Sequence, residues 1–196
     1  MTDPAVPRWR DFLELTKPRI VALVLVTVGA AFYLGASGSL PWGLLAHTLF
    51  GTALVAAGTN GLNQVIEGKV DALMRRTRQR PIPAGRLAVL PAAVFASALG
   101  AAGVAWLTVR VNPMAGLLAA LTLFSYAFIY TPLKRRTTLA TLVGAVPGAL
   151  PVVGGWAAAR GLLELEAWVL FAILFLWQLP HFLALAWIYR EDYAAA

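Results

Sequence analysis

The stretch that decides the fold runs Ala167-Trp-Val-Leu-Phe-Ala-Ile-Leu-Phe-Leu-Trp177-Gln178-Leu-Pro180-His181-Phe-Leu-Ala-Leu-Ala-Trp187-Ile-Tyr189, 23 residues without one Asp, Glu, Lys or Arg. At about 1.5 Å per residue a helix of roughly 20 apolar residues crosses the hydrocarbon of a bilayer, so this segment is long enough to span it. Five more runs of the same kind precede it: Ile20 to Ala36, Trp42 to Ile66, Leu87 to Val109, Pro113 to Tyr130 and Leu139 to Ala159. Breakers separate them, namely Gly38 to Pro41, Pro81, Pro83 and Gly85, Asn112-Pro113, Thr131-Pro132 and Arg160-Gly161. Six such runs in succession, with almost no polar face, predict an all-α polytopic membrane protein with six transmembrane helices.

The composition agrees. Of 196 residues, 60% are apolar and 13% charged, against about 25% charged in a typical soluble domain, and mean hydropathy is +0.73. Sixteen Lys and Arg against nine Asp and Glu give a net charge of +7, which by itself suits an anionic surface or a nucleic acid. Its distribution argues for topology instead. Fourteen of the sixteen basic residues fall before the first run, after the second, after the fourth or after the sixth; only Arg110 and Arg160 fall on the other side. Cytoplasmic loops retain positive charge, so both termini and the two basic loops are expected in the cytoplasm, in a multi-pass protein of the cell's inner or plasma membrane that binds no nucleic acid. The first 16 residues carry Asp3, Asp11 and Glu14 and no small-residue cleavage signal, so the first span reads as an uncleaved anchor. With no cysteine, disulfides and thiolate chemistry are excluded.

The long polar content recurs after the even-numbered spans, on one membrane face. There the end of span two reads Asn63-Gln-Val-Ile-Glu67-Gly-Lys-Val-Asp71, followed by Arg75, Arg76, Arg78 and Arg80. Asn63, Glu67 and Asp71 are spaced i, i+4, i+8, which puts them on one helical face with about 6 Å of rise between neighbours. Three oxygen donors so placed suit Mg²⁺, a hard ion completed by waters and substrate phosphates, and the basic residues after them suit a diphosphate. Spacing alone equally fits a capped helix end with a solvated loop, and Gly68 weakens helix continuity between Glu67 and Asp71.

Three further segments make the pattern specific: Tyr130-Thr-Pro-Leu-Lys134-Arg135-Arg136-Thr137, Gly144 to Trp156 with its run of glycines, and Trp177-Gln-Leu-Pro180-His181-Phe182 leading to Arg190-Glu191-Asp192-Tyr193. Together with Asn63 to Pro81 they resemble the UbiA superfamily of intramembrane prenyltransferases, and within it the heme-farnesylating branch, the protoheme IX farnesyltransferases or heme O synthases. The resemblance is collinear from Thr16-Lys17-Pro18-Arg19 to Asp192-Tyr193. It implies a Mg²⁺-dependent transfer of farnesyl from farnesyl diphosphate to a vinyl group of heme B, inside the bilayer, giving heme O. A quinone precursor is the alternative acceptor. It implies Asn63, Glu67, Asp71 and His181 as catalytic residues and Asn63, Glu67, Asp71, Glu191 and Asp192 as the metal set. Arg75, Arg78, Tyr130, Lys134 and Arg135 are then the diphosphate contacts. The adjacent pair Glu191-Asp192 departs from the spaced aspartates of the superfamily's second motif. The resemblance further implies contact with heme-modifying or oxidase-assembly proteins downstream, and nine helices in the complete fold. Residues 1–196 therefore read as one incomplete domain, its N-terminal two-thirds, without a closed cavity of its own; a non-catalytic truncated fragment is the further alternative. Gly144, Gly148 and Gly155 are expected to permit close helix packing.

Overall fold

A computed structural model describes residues 9–134, 136–137 and 139–194, with the side chains of Tyr193 and Ala194 outside the description. Among these residues all regular structure is helical. The elements are α1 (Trp9–Thr16), α2 (Pro18–Gly35), α3 (Trp42–Asp71), α4 (Val89–Arg110), α5 (Pro113–Phe124), a π-helical stretch (Ser125–Tyr130), α6 (Thr131–Leu133), α7 (Ala140–Arg160), α8 (Leu165–Ile188) and α9 (Arg190–Ala194). Six helical segments are long and apolar enough to cross a membrane: α2, α3, α4, the continuous Pro113–Leu133 stretch, α7 and α8. They match the six expected spans to within a few residues, apart from the far end of α3. The chain is a multi-pass membrane protein.

Two features depart from the sequence reading. α1 is an additional short helix ahead of the first span; its Leu15 is buried against Leu87 and Ala92, while Trp9 and Leu13 stay exposed. And α3 continues through Gly68 to Asp71, because Ile82 of the following loop closes over that glycine, its Cγ2 3.0 Å from where a Cβ would stand. Thirty residues make α3 about 45 Å long, more than the hydrocarbon thickness, so its polar end stands clear of the apolar layer.

α3 and α4 form the closest pair. Gly58 lies against the backbone of α4, where a Cβ would come within 2.5 Å of Gly100 N and 2.6 Å of Ala96 O. Small residues at such a crossing replace side-chain interdigitation with backbone contact, the usual way to associate helices in lipid. α7 is the inner helix, 56% of its best apolar window being buried, and its Gly155 approaches Val28 O of α2 as the glycine run predicts. α8 is the edge helix, with 6% of its window buried, and it packs on α7. Pro147 and Pro151 lie inside α7 and Pro180 inside α8, positions at which each removes a backbone donor.

The basic segments gather at one end. Arg86 of the α3–α4 loop pairs with both Asp11 and Glu14 of α1, and Asp192 of α9 reaches the same loop. At the opposite end Arg160 binds Glu164 at 2.8 Å and the Ser37 hydroxyl, while Asn112 Nδ2 donates to Ala157 O, so few charges are spent there. Arg160 holds the half-buried Glu164 carboxyl below the usual range.

Gly58→Val forces backbone apart from backbone, and overpacking of that kind costs about 1–3 kcal/mol. We expect a clearly lowered thermal midpoint in detergent, whereas Gly43→Ala, whose Cβ would meet nothing within 4 Å, should leave it unchanged or raised.

Candidate functional site

Because α3 stays helical to Asp71, Asn63, Glu67 and Asp71 do share one face, and each is only 3% exposed. Buried polar groups of this kind must be matched, and each has its own cation from a different part of the chain. Lys17 Nζ donates to Asn63 Oδ1 at 3.2 Å. Lys134 Nζ lies 2.5 Å from Glu67 Oε1, an ion pair. Arg80 Nη1 donates to Asp71 Oδ2 at 2.7 Å.

The local folding that delivers these groups is specific. Thr77 Oγ1 donates to Asp71 O at 2.8 Å, which bends the loop straight after α3 and returns Arg80 to the carboxylate nine residues before it. Lys134 arrives through the π-helical stretch, whose wider turn ends at Thr131 and Pro132. Such stretches are rare and recur at functional sites. Thr131 is wholly buried: its Oγ1 donates to Tyr126 O at 2.8 Å and accepts from Asn63 Nδ2 at 3.2 Å. Asn63 Nδ2 also donates to Glu67 Oε2 at 3.0 Å, which turns its oxygen outward, toward Lys17. Burial of the Lys17 ammonium, with Arg80 near it, pushes its pKa down to about 7, against the opposing pull of Glu67 and Asp71.

Below this polar rim, between the helices, lies a cavity of about 260 Å³. Its walls are mainly apolar, among them Ile20, Val24, Val55, Leu107, Leu118 and Leu150. Its lining includes Asn60, one helical turn before Asn63, and Tyr126, whose carbonyl is joined to Asn63 through Thr131, and Gln178 is the polar residue that α8 contributes. Charged groups at one end and a hydrocarbon slot below describe a receptor for an amphiphile with an anionic head.

The donor set fits a hard divalent cation. An amide oxygen and two carboxylates are the ligand types Mg²⁺ takes, and each already carries a positive charge, that of Lys17, Lys134 and Arg80 in turn, where a metal would bring its own. Among the described residues no three His, Cys, Asp or Glu side chains gather around one point. The second acidic pair therefore does not join Glu67 and Asp71 in this structure. Asp192 is occupied by backbone N–H groups, accepting from Arg75 N at 3.1 Å and Arg76 N at 3.4 Å, and Glu191 is exposed.

The remaining predicted residues are placed as follows. Arg75 and Arg78 are exposed on the loop beside the site. Tyr130 packs its ring against α7 at Gly144 and lies 5.2 Å from the Tyr126 ring, so Tyr126 and not Tyr130 is the cavity tyrosine. Arg135 lies outside the described residues. His181 is exposed on α8 with its ring stacked on Trp177 at 5.2 Å, and neither residue lines the cavity. Sequence reasoning passed over Lys17 and Arg80 as partners of the motif. Both were counted among the basic residues, and the turns that aim them leave no spacing signal.

A family model described as UbiA prenyltransferase family matches residues 23–196. A protein of Solibacter usitatus named Protoheme IX farnesyltransferase is 50% identical over 196 residues, covering 95% of this chain and 67% of its own length. Proteins of the same name from Salinibacter ruber and Gloeobacter violaceus are 49% and 46% identical, with 65% and 61% of their lengths covered. The chain thus spans about two-thirds or less of these relatives. In fold it is similar to a UbiA homolog from Archaeoglobus fulgidus solved with GPP and Mg²⁺, at a TM-score of 0.76 and 16% identity, over 94% of this chain and 66% of that one.

Thr131→Val removes both hydrogen bonds of the hydroxyl and leaves Asn63 Nδ2 with only its bond to Glu67, one of its two hydrogens unpaired in a buried place. The loss expected from such pairs is about 1–3 kcal/mol, read as a lower thermal midpoint, with weaker Mg²⁺ binding in parallel.

Proposed function

As this chain belongs to the UbiA prenyltransferase family, we propose that it transfers a farnesyl group from farnesyl diphosphate to a vinyl group of heme B, giving heme O, with Mg²⁺ as cofactor. The observation that carries the reading is the buried row Asn63, Glu67 and Asp71, with a cation on each, on the same helix whose Thr59 and Asn60 line an apolar cavity. The acceptor is argued from relatives at 46 to 50% identity that bear the heme farnesyltransferase name, and from the segment Trp177 to Phe182.

The difficulty of the reaction is the allylic carbon–oxygen bond, which breaks with its electron pair going to the diphosphate. Asn63, Glu67 and Asp71 would hold Mg²⁺, which when bound would neutralise charge on that leaving group. Arg80 and Lys134 stand on the same carboxylates and add fixed positive charge where negative charge develops. Arg75 and Arg78, and Arg135 by its place in the sequence, are the outer diphosphate contacts, and Tyr130 holds the turn that presents Lys134. The isoprenoid lies in the cavity beneath, whose apolar walls keep water from the allylic carbocation until the vinyl carbon attacks it. A carbon–carbon bond forms, water adds to the resulting cation on the porphyrin side, and the surplus proton leaves with diphosphate or solvent. His181 and Trp177, stacked on the open face of α8, are assigned to the porphyrin. Glu191 and Asp192 complete the second acidic motif, Asp192 by holding the Arg75–Arg76 turn. The basic end is the cytoplasmic one, by its excess of Lys and Arg.

The test is heme O formation from heme B and farnesyl diphosphate in membranes bearing the protein, followed by chromatography and mass spectrometry. Turnover should require Mg²⁺, and Glu67→Gln and Asp71→Asn should each lower it by about a hundredfold or more. Prenylation of a quinone precursor with heme B left unmodified would overturn the assigned acceptor.

A further inference from the structure

Lys17 stands in a conformation that lysine rarely adopts. With φ 52° and ψ 66° it is the single non-glycine residue at positive φ among the described residues, an arrangement that costs on the order of 1 kcal/mol in an L-residue and that glycine takes freely. Strain of this size persists where surrounding structure enforces it. Here Gln64 Nε2 donates to Leu15 O at 2.7 Å and Asn60 Nδ2 to Thr16 O at 3.1 Å, fixing the end of α1 to the face of α3 that carries Asn63. Pro18 fixes the backbone on the other side and starts α2. If the turn alone mattered, glycine would serve better. What lysine adds is an ammonium on a flexible stem, and the turn aims it at Asn63 Oδ1, 3.2 Å away.

That oxygen is the one Asn63 would offer a metal, since its nitrogen already donates to Glu67 and Thr131. We propose that Lys17 is a diphosphate-positioning residue that guards the metal site: its ammonium holds Asn63 Oδ1 in the empty site, then releases that oxygen to Mg²⁺ and takes a phosphate oxygen of the incoming prenyl diphosphate. This rests on the proposed function for the identity of the ligand. Two cations repel on one amide oxygen, whereas the diphosphate that arrives with the metal brings new acceptors within the sweep of the lysine stem. No backbone movement is needed, because both ends of the turn are tied. The metal and the diphosphate are thereby made to bind together, and Mg²⁺ alone is resisted.

Calorimetric titration of the protein in nanodiscs tests this, with Mg²⁺ alone and with farnesyl diphosphate at saturating Mg²⁺, for wild type, Lys17→Gln, Lys17→Gly and Lys17→Arg. Glycine relieves the strained turn, so that variant should melt no lower than wild type. The expected result is about tenfold weaker diphosphate binding in the Gln and Gly variants, a charge-assisted hydrogen bond's worth, together with severalfold tighter binding of Mg²⁺ alone. Lys17→Arg should restore diphosphate affinity to within about threefold. Unchanged diphosphate affinity in the Gly variant, or parallel loss of both affinities, overturns the role of Lys17. Absence of Mg²⁺-dependent farnesyl diphosphate binding in wild type would instead overturn the proposed function, and the inference with it.

Discussion

Two carboxylates are buried where a helix emerges from hydrocarbon, and an unmatched buried charge there would cost several kcal/mol. Much of the polar end of the molecule is arranged around that constraint. The left-handed turn before α2, the bent loop after α3 and the π-helical stretch after α5 have little in common as structures. Each nevertheless ends by setting one cation on one residue of the row Asn63, Glu67, Asp71. Arg86 repeats the principle one layer out, tying α1 to the same loop through Asp11 and Glu14. Its guanidinium is held even more firmly protonated than usual by the Glu14 contact.

The apolar part is governed by a different rule. Lipid offers no hydrophobic gain for bringing helices together, so association depends on close fit and on backbone approach. α3 and α4 meet glycine to glycine, and α7 presents Gly155 to α2 and Gly148 to Gln178 of α8. Large residues are turned outward to the bilayer, Leu23, Val94, Ile173 and Leu183 among them, while small ones are kept for the seams. The result is a bundle that is tight between α3 and α4 yet leaves room for a cavity between α2, α3, α5 and α7.

The spans and the motif were legible because both obey helical arithmetic. Apolar length sets the number of crossings, and a spacing of four sets a shared face. What escaped was whatever breaks that arithmetic. A stretch with wider turns rotates later residues relative to a 3.6 period, so that Tyr126, which the sequence does not single out, lines the cavity. Gly68 reads locally as a weak point, and only the distant Ile82 explains why α3 continues through it. Arg80 cannot be told from Arg75 or Arg78 by sequence, since a hydroxyl bond from Thr77 decides which of them returns to Asp71. Lys17 resembles a topology signal because the positive-inside rule and the site ask for the same residue type at the same depth.

The backbone contact between Gly58 and Gly100 has an evolutionary consequence. Where side chains interlock, a change on one helix can be absorbed by a complementary change on its neighbour, and lineages drift through paired substitutions. Here neither helix has a side chain to trade. A larger residue at Gly58 could be accommodated only by moving α3 away from α4, and Asn63, Glu67 and Asp71 would travel with it. Selection on the chemistry therefore reaches a glycine in mid-membrane, Gly58, outside the site itself, and it should hold that residue as tightly as the ligands themselves.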